Sequence, residues 1–200
     1  SKAVSDMTEI RRLCVYCGSS DKGPAEHAES ATRLGAQMAG EGIGLVYGGG
    51  RIGIMGAVAR GVMEGGGEVI GIIPHFLLKK EVGDRDVTDL QIVSTMHERK
   101  ARMVELSDGF VILPGGLGTL DEFFEILTWR QLGLHDKPIV VVNIGGYWDR
   151  LLALIDGMID ARYVHTRQAA TIHVVGTIEE VLPALHRLPG ETHRPMTERT

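Results

Sequence analysis

Much of what would classify this 200-residue chain quickly is missing from it. No apolar run approaches the ~20 residues of a membrane-spanning helix, so no membrane partner is expected. The first residues lack the positive charge, apolar block and small-residue cleavage site of a secretory leader, and the expected location is cytoplasmic. Positive charge is scarce: 21 Lys and Arg face 26 Asp and Glu, for a net charge of −5. That argues against a broad nucleic-acid surface and leaves room for a local basic pocket. Cysteine is limited to Cys14 and Cys17. Their C-x-x-C spacing is that of a redox or metal pair, yet no second pair and no nearby His pair completes a zinc site. A strand sends positions three apart to opposite faces, so the pair reads as two buried thiols on a strand. There is no G-x-x-x-x-G-K-[ST] loop for a P-loop ATPase, no G-x-S-x-G elbow for a serine hydrolase, and no internal repeat. His75, His97, His135 and His173 show no ligand spacing and read as surface or core polar residues.

What is present is a regular alternation. The composition, 44% hydrophobic and 24% charged, is that of a globular protein. No linker interrupts the pattern, which predicts one domain over residues 1–200, with a core from about 12 to 188 between a loose lead-in and a polar tail from Pro189. Strands are expected at Arg12 to Tyr16, Ile43 to Tyr47, Glu68 to Ile73, Leu90 to Ser94, Gly109 to Leu113, Ile139 to Asn143 and Thr171 to Val175. Helices are expected at Pro24 to Gly40, Ile54 to Glu64, Thr95 to Ser107, Thr119 to Leu132, Tyr147 to Ala161 and Ile178 to Leu188. Residues 74–89, with Lys79-Lys80, read as a loop near a site. Continuous Val/Ile/Leu strands point to a parallel sheet covered on both faces. The fold class is therefore α/β, a Rossmann-like doubly wound parallel sheet, with ligands at the carboxyl ends of its strands.

Three strand ends carry special residues. Gly18-Ser19-Ser20 offers hydroxyls for a phosphate, or simply a turn. Gly48-x-Gly50-x-x-Gly53 matches the dinucleotide fingerprint, but no acid closes the next strand, so a glycine turn near a mononucleotide phosphate is the better reading. Leu113-Pro114-Gly115-Gly116-Leu117-Gly118-Thr119-Leu120-Asp121-Glu122 runs from a strand through a glycine turn into a helix, whose free N–H groups and positive dipole end suit an anion. Thr119-x-x-Glu122 has capping-box spacing too, so Glu122 is either a cap or a carboxylate acting on something held in the turn. Thr95-Met96-His97-Glu98-Arg99-Lys100 is similar: Arg99 and Lys100 are either solvated charges paired locally or a cationic clamp for an anion.

Pro114-Gly115-Gly116-Leu117-Gly118-Thr119-Leu120-Asp121-Glu122 resembles the PGGxGTxxE signature of the LONELY GUY family, and Met96-His97-Glu98-Arg99-Lys100 resembles its second motif. Cys17-Gly18-Ser19-Ser20, Val46 to Gly50, Gly53 to Gly56, Thr128 to Gly133 and Asp136-Lys137-Pro138 are similar to further blocks, so the likeness runs from about residue 12 to 165. Members of this family are cytokinin riboside 5′-monophosphate phosphoribohydrolases, often mislabelled lysine decarboxylases. The resemblance implies a Rossmann-like homodimer with no metal and no cofactor. It implies cleavage of the N-glycosidic bond of an N6-substituted AMP, with AMP a candidate substrate, to base and ribose 5-phosphate. By position, Arg99 and Glu122 are the implied catalytic pair. Gly116, Leu117, Gly118, Thr119, Leu120, Asp121, Lys100 and Thr128 are implied to bind substrate, and Glu81 matches an acidic position in the irregular loop. The alternative on the same fold is a nucleotide or cofactor carrier that does not hydrolyse its cargo. A decarboxylase would need a Schiff-base lysine and a pyridoxal phosphate site, which no motif marks.

Overall fold

Short apolar runs, most of them buried along their whole length, build a parallel sheet in this computed structural model, which describes residues 9–186. The lead-in before Glu9, the tail from Pro189 and the last two residues expected of the final helix lie outside the described residues. The strands are β1 (Arg12–Tyr16), β2 (Gly44–Tyr47), β3 (Val69–Pro74), β4 (Asp89–Val93), β5 (Gly109–Ile112), β6 (Ile139–Val142) and β7 (Ile172–Val175). They lie in the order β4-β3-β2-β1-β5-β6-β7, all parallel. β4 is an edge and is only half-buried, which is why its sequence is the least apolar of the set.

Alternation along the strands divides the interior into two cores. Leu13, Val15, Leu45, Tyr47, Val111 and Val140 face the side covered by α1 (Ala25–Gly40), α2 (Gly53–Glu64) and α7 (Val181–Leu185). Cys14, Tyr16, Val46, Ile72, Phe110 and Ile112 face α3 (Met96–Leu106), α4 (Leu117–Gln131) and α5 (Asp149–Asp160). Each such buried side chain contributes about 1.5–3 kcal/mol of transfer free energy. The two cysteines fall on opposite sides, free and buried, as the period of two requires. Cys17, however, stands just past the end of β1.

Four element expectations need correction. α4 begins at Leu117 with Gly116 as its N-cap, so Thr119 lies inside the first turn and Glu122 in the second, and the two do not form a capping box. α5 begins at Asp149 because Asn143 organises a tight turn before it: its side chain accepts from Trp148 N at 2.7 Å and donates to Asp149 Oδ1 at 2.7 Å. A short helix α6 (Thr166–Ala169), absent from the expected elements, is capped by a histidine ring, His165 Nδ1 accepting from Arg167 N at 3.2 Å. The expected last helix is a 3₁₀ turn (Ile178–Glu180) followed by α7, with Thr177 and Glu180 sharing a capping box.

β1 lies between β2, whose helix covers one face, and β5, whose helix covers the other. At their carboxyl ends the chain turns away in both directions, and a crevice opens between the turns. Gly18 N donates to Pro114 O at 3.0 Å, which ties the two turns together at the crevice floor.

Candidate active site

The crevice is a cleft of about 550 Å³ lined from six places in the chain, the last being Tyr147 after β6. β1 and the turn after it supply Cys17, Gly18, Ser19, Ser20 and Lys22, and α1 supplies His27. Gly48 and Met55 come from the second strand end, Glu81 from the segment before β4, Met96, Arg99 and Met103 from α3, and Pro114 to Glu122 (without Leu120) from the β5–α4 turn.

α3 owes its start to Thr95, whose Oγ1 accepts from Glu98 N at 3.1 Å, while Glu98 Oε2 reaches back to Ser94 N at 2.8 Å. Arg99 follows, in the turn where a helix disfavours a cation by ~0.3–1 kcal/mol. It is nevertheless buried, 3% exposed, because three acceptors meet it. Its Nε donates to Ile72 O at 3.0 Å, and its Nη2 donates to Gly48 O at 2.6 Å and to Glu81 Oε2 at 2.8 Å. The planar guanidinium fork suits such divergent acceptors, where an ammonium would not. A Cβ at position 48 would stand 2.2 Å from Arg99 Nη2, so only glycine lets the guanidinium reach the main chain there.

The Glu81 segment is tied down. Arg51 N donates to the carbonyls of Glu81 and Val82 at 3.2 and 3.0 Å, Asp84 N donates to Gly49 O at 2.8 Å, and Gly50 bridges Gly83. Val82, β-branched, is held at φ 49°, a strained left-handed conformation that those bonds maintain. The loop expected near a site is thus a wall of the cleft, held by main-chain bonds. The Gly48–Gly53 turn, expected near a phosphate, embraces this segment and Arg99, while Gly48 also lines the cleft.

Glu122 lines the cleft from the second turn of α4 and, among the described residues, makes no ion pair. Burial pushes its carboxyl up to about 7; Arg99 pulls against that shift, and the negative charges of Glu81 and Asp121 add to it. A carboxyl poised there exchanges a proton readily at neutral pH. The first turn of α4 has no side-chain cap, so the N–H groups of Leu117, Gly118 and Thr119 remain free for a ligand at the positive end of the helix. Gly115 is fixed by crowding: a Cβ there would lie 2.1 Å from Thr119 Oγ1 and 2.8 Å from Gly18 N. Burial pushes the Cys17 thiol well up, and the neighbouring Glu122 charge adds to that, so it lines the cleft as an inert neutral group.

Of the residues singled out by sequence, Glu81, Arg99, Gly116, Leu117, Gly118, Thr119, Asp121 and Glu122 converge on the cleft. Lys100 does not. A neighbour on a helix is turned by roughly 100°, and Lys100 Nζ instead joins α3 to α4 through Asp121 at 3.2 Å and Glu125 at 2.9 Å. Burial tends to lower its pKa, but the hydrogen bonds to Glu125 and Asp121 outweigh that and raise it. Leu120 packs into the second core. Thr128, six residues beyond Glu122, is roughly 9 Å along the helix and on another side; it lines a separate apolar cavity with Leu127, Leu154 and Met158. Sequence reasoning passed over His27, Lys22 and Tyr147 as cleft residues. Their cue is position alone: His27 and Lys22 follow the turn after β1, and Tyr147 follows Gly145-Gly146 after β6.

A cleft at the switch point of a doubly wound sheet, lined by an uncapped helix start and by a titratable carboxyl that feels a buried arginine, defines a Rossmann-like protein with a site suited to a small anion. Solved structures agree on the fold. The molybdenum cofactor carrier protein of Chlamydomonas reinhardtii superposes with a TM-score of 0.68 at 20% identity, over 88% of this chain and 96% of that one. The molybdenum cofactor binding protein of Rippkaea orientalis gives 0.65 at 21%, over 88% and 94%. Sequence comparison is more specific. The family model described as "Possible lysine decarboxylase" matches residues 55–185. The cytokinin riboside 5′-monophosphate phosphoribohydrolase LOG3 of Arabidopsis thaliana is 41% identical over 192 residues, 96% of this chain and 87% of that protein. The corresponding LOG protein of Oryza sativa subsp. japonica is 44% identical over 183 residues, 88% and 76%. The chain belongs to this family, the LONELY GUY family.

Proposed function

We propose that this chain hydrolyses the N-glycosidic bond of cytokinin riboside 5′-monophosphates, releasing the free base and ribose 5-phosphate. The observation that carries the reading is the half-buried Glu122 carboxyl, unpaired among the described residues and pushed up to about 7 by desolvation, in one cleft with Arg99 and the uncapped α4 N-terminus.

The 5′-phosphate sits on the free N–H groups of the glycine turn, and its binding energy holds the ribose against Glu122. As the base departs, positive charge grows on the ribose, and ionised Glu122 stabilises it and takes a proton from the attacking water. The C1′–N bond breaks, the water oxygen bonds to C1′, and the proton that Glu122 took from the water passes to the departing base, which returns Glu122 to its ionised form. Arg99 keeps Glu81 and the cleft wall in place and tempers the Glu122 pKa. The only chemistry this assigns is hydrolysis, from the chain's own residues.

The protein works as a homodimer in the cytoplasm. Supporting the dimer are the exposed apolar side chains Leu132, Leu134, Leu154 and Tyr163 and the apolar cavity that Leu154 and Thr128 line. Light scattering in solution tests that part. Among the described residues no helix is long and apolar enough to cross a membrane, and no cluster of His, Cys, Asp and Glu could hold a metal ion.

The deciding experiment is chromatographic detection of free base from N6-isopentenyl-AMP and from AMP. Base release at a rate proportional to protein is expected. Tight binding of AMP with no base released over hours would overturn the reading in favour of a carrier.

A further inference from the structure

One polar side chain in the cleft has no part in the steps above. His27 belongs to the first turn of α1, is only 7% exposed, and lines the cleft. Among the described residues its ring has no hydrogen-bond partner; it is held by an edge-on contact with Tyr147, ring centroids 5.3 Å apart at 79°. Tyr147 Oη in turn donates to Gly115 O at 2.5 Å. His27 is therefore linked through Tyr147 to the glycine turn. Its ring nitrogens are not among the buried atoms of the described residues that lack a partner, which are Tyr47 Oη and Trp148 Nε1; they open on the cleft, and their partner is expected among the molecules it receives.

The surroundings specify that molecule's chemistry. α1, of 16 residues, starts at Pro24 without a side-chain cap, and α4, of 15 residues, starts without one at Gly116. Each puts the positive end of a helix beside the cleft lining, though on α1 the His27 N–H is already taken by Pro24 O at 3.1 Å. Ser20 Oγ accepts from Lys22 N at 3.2 Å, which leaves its O–H to donate, and Lys22 lines the same wall. The carboxylates nearby are at the margin or the far end: Asp21 and Glu26 are exposed, while Asp121 and Glu122 line the cleft further along α4. Donors of this kind sharing one cleft lining match the oxygens of a phosphate monoester.

We propose that His27 donates a ring N–H to the phosphate of the bound nucleotide, with Tyr147 setting the ring's orientation and the position of Gly115. This rests on the nucleotide reading above and deepens it by naming a phosphate ligand on α1.

Calorimetry with ribose 5-phosphate and with adenine, titrated separately, tests it on wild type, His27→Phe and His27→Gln. Phenylalanine keeps the ring against Tyr147 and removes the donor; glutamine restores a donor. His27→Phe is expected to weaken ribose 5-phosphate by about tenfold or more, the scale of a hydrogen bond to a charged group. Adenine affinity should stay unchanged, and His27→Gln should recover most of the loss. In turnover the His27→Phe loss should appear mainly in KM. Unchanged ribose 5-phosphate binding in His27→Phe, or an equal loss of adenine, would overturn the assignment. If His27→Phe does not fold, His27→Leu takes its place, with the same expected loss and the same overturning results. Wild type that binds ribose 5-phosphate through His27 but releases no base would leave this assignment standing and remove the hydrolase reading alone.

Discussion

Two glycine-rich turns follow strands in this protein, and they do opposite things. The turn after β2, Gly48 to Gly53, is filled by the protein itself: Gly48 O receives Arg99, and Arg51 N and Gly49 O hold the segment around Glu81. The turn after β5, Pro114 to Gly118, is left open to the cleft with the uncapped start of α4 behind it. Both have the sequence of a phosphate loop. What separates them is whether a distant part of the chain has already satisfied the main-chain groups, which for the first turn means Arg99 and residues 81–84.

That contrast can be broken or sharpened by substitution. The largest effect is expected behind the open turn. Glu122→Gln should lower kcat by about 10²–10⁴, the range for loss of a positioned acid–base group, with the circular dichroism spectrum unchanged. The filled turn should respond in stability instead. Gly48→Ala puts a methyl carbon 2.2 Å from Arg99 Nη2 and should cost about 3–5 kcal/mol in urea unfolding, because it dislodges a buried cation from its partners.

A pH series separates the two sites further. The Glu122 carboxyl, raised to about 7 in the folded protein, keeps its proton where the unfolded chain loses it, so its contribution to stability falls as pH rises from about 4.5 to about 7. Glu122→Gln should therefore raise Tm at pH 8 and leave it nearly unchanged at pH 4, a difference of up to roughly 3 kcal/mol. The wild-type kcat should rise through about pH 7 as the carboxyl ionises.

Gly118→Ala is the smaller probe of the open turn. A Cβ there meets nothing within 4 Å, and alanine favours a helix, so stability should hold or rise by about 0.5–1 kcal/mol while nucleotide affinity, read by calorimetry, falls severalfold. Lys100→Gln marks the floor. It loosens a link between α3 and α4 outside the cleft and should cost no more than about 1 kcal/mol in urea unfolding, with kcat/KM nearly unchanged.

The fold was legible because its signals are local. Runs such as Ile139 to Val142 and glycine-bounded helices repeat in an order that permits few topologies. Glu122 and Arg99 were legible as types in motifs, but the company they keep was not. Nothing near Arg99 in sequence says that its partners are Ile72 O, Gly48 O and Glu81, residues brought in by three other elements. For the same reason Lys100 read as a partner of Arg99, although one residue's rotation turns it to Asp121 and Glu125. His165 as a helix cap and Asn143 as the organiser of the turn before α5 rest on side-chain geometry that residue type alone does not announce.

The place of β1 has a consequence for how the chain comes into being. One edge of β1 pairs with β2, made soon after it; the other waits for β5, and the same junction joins Arg11 N to the Asp108 carboxylate across 97 positions. During synthesis the central strand must stand with an open edge until the second half of the sheet emerges, the kind of long-range closure that slows folding. The cleft exists only once that edge is closed, since its floor is the Gly18–Pro114 bond. Ligand binding by a growing chain would therefore mark the moment its two halves meet.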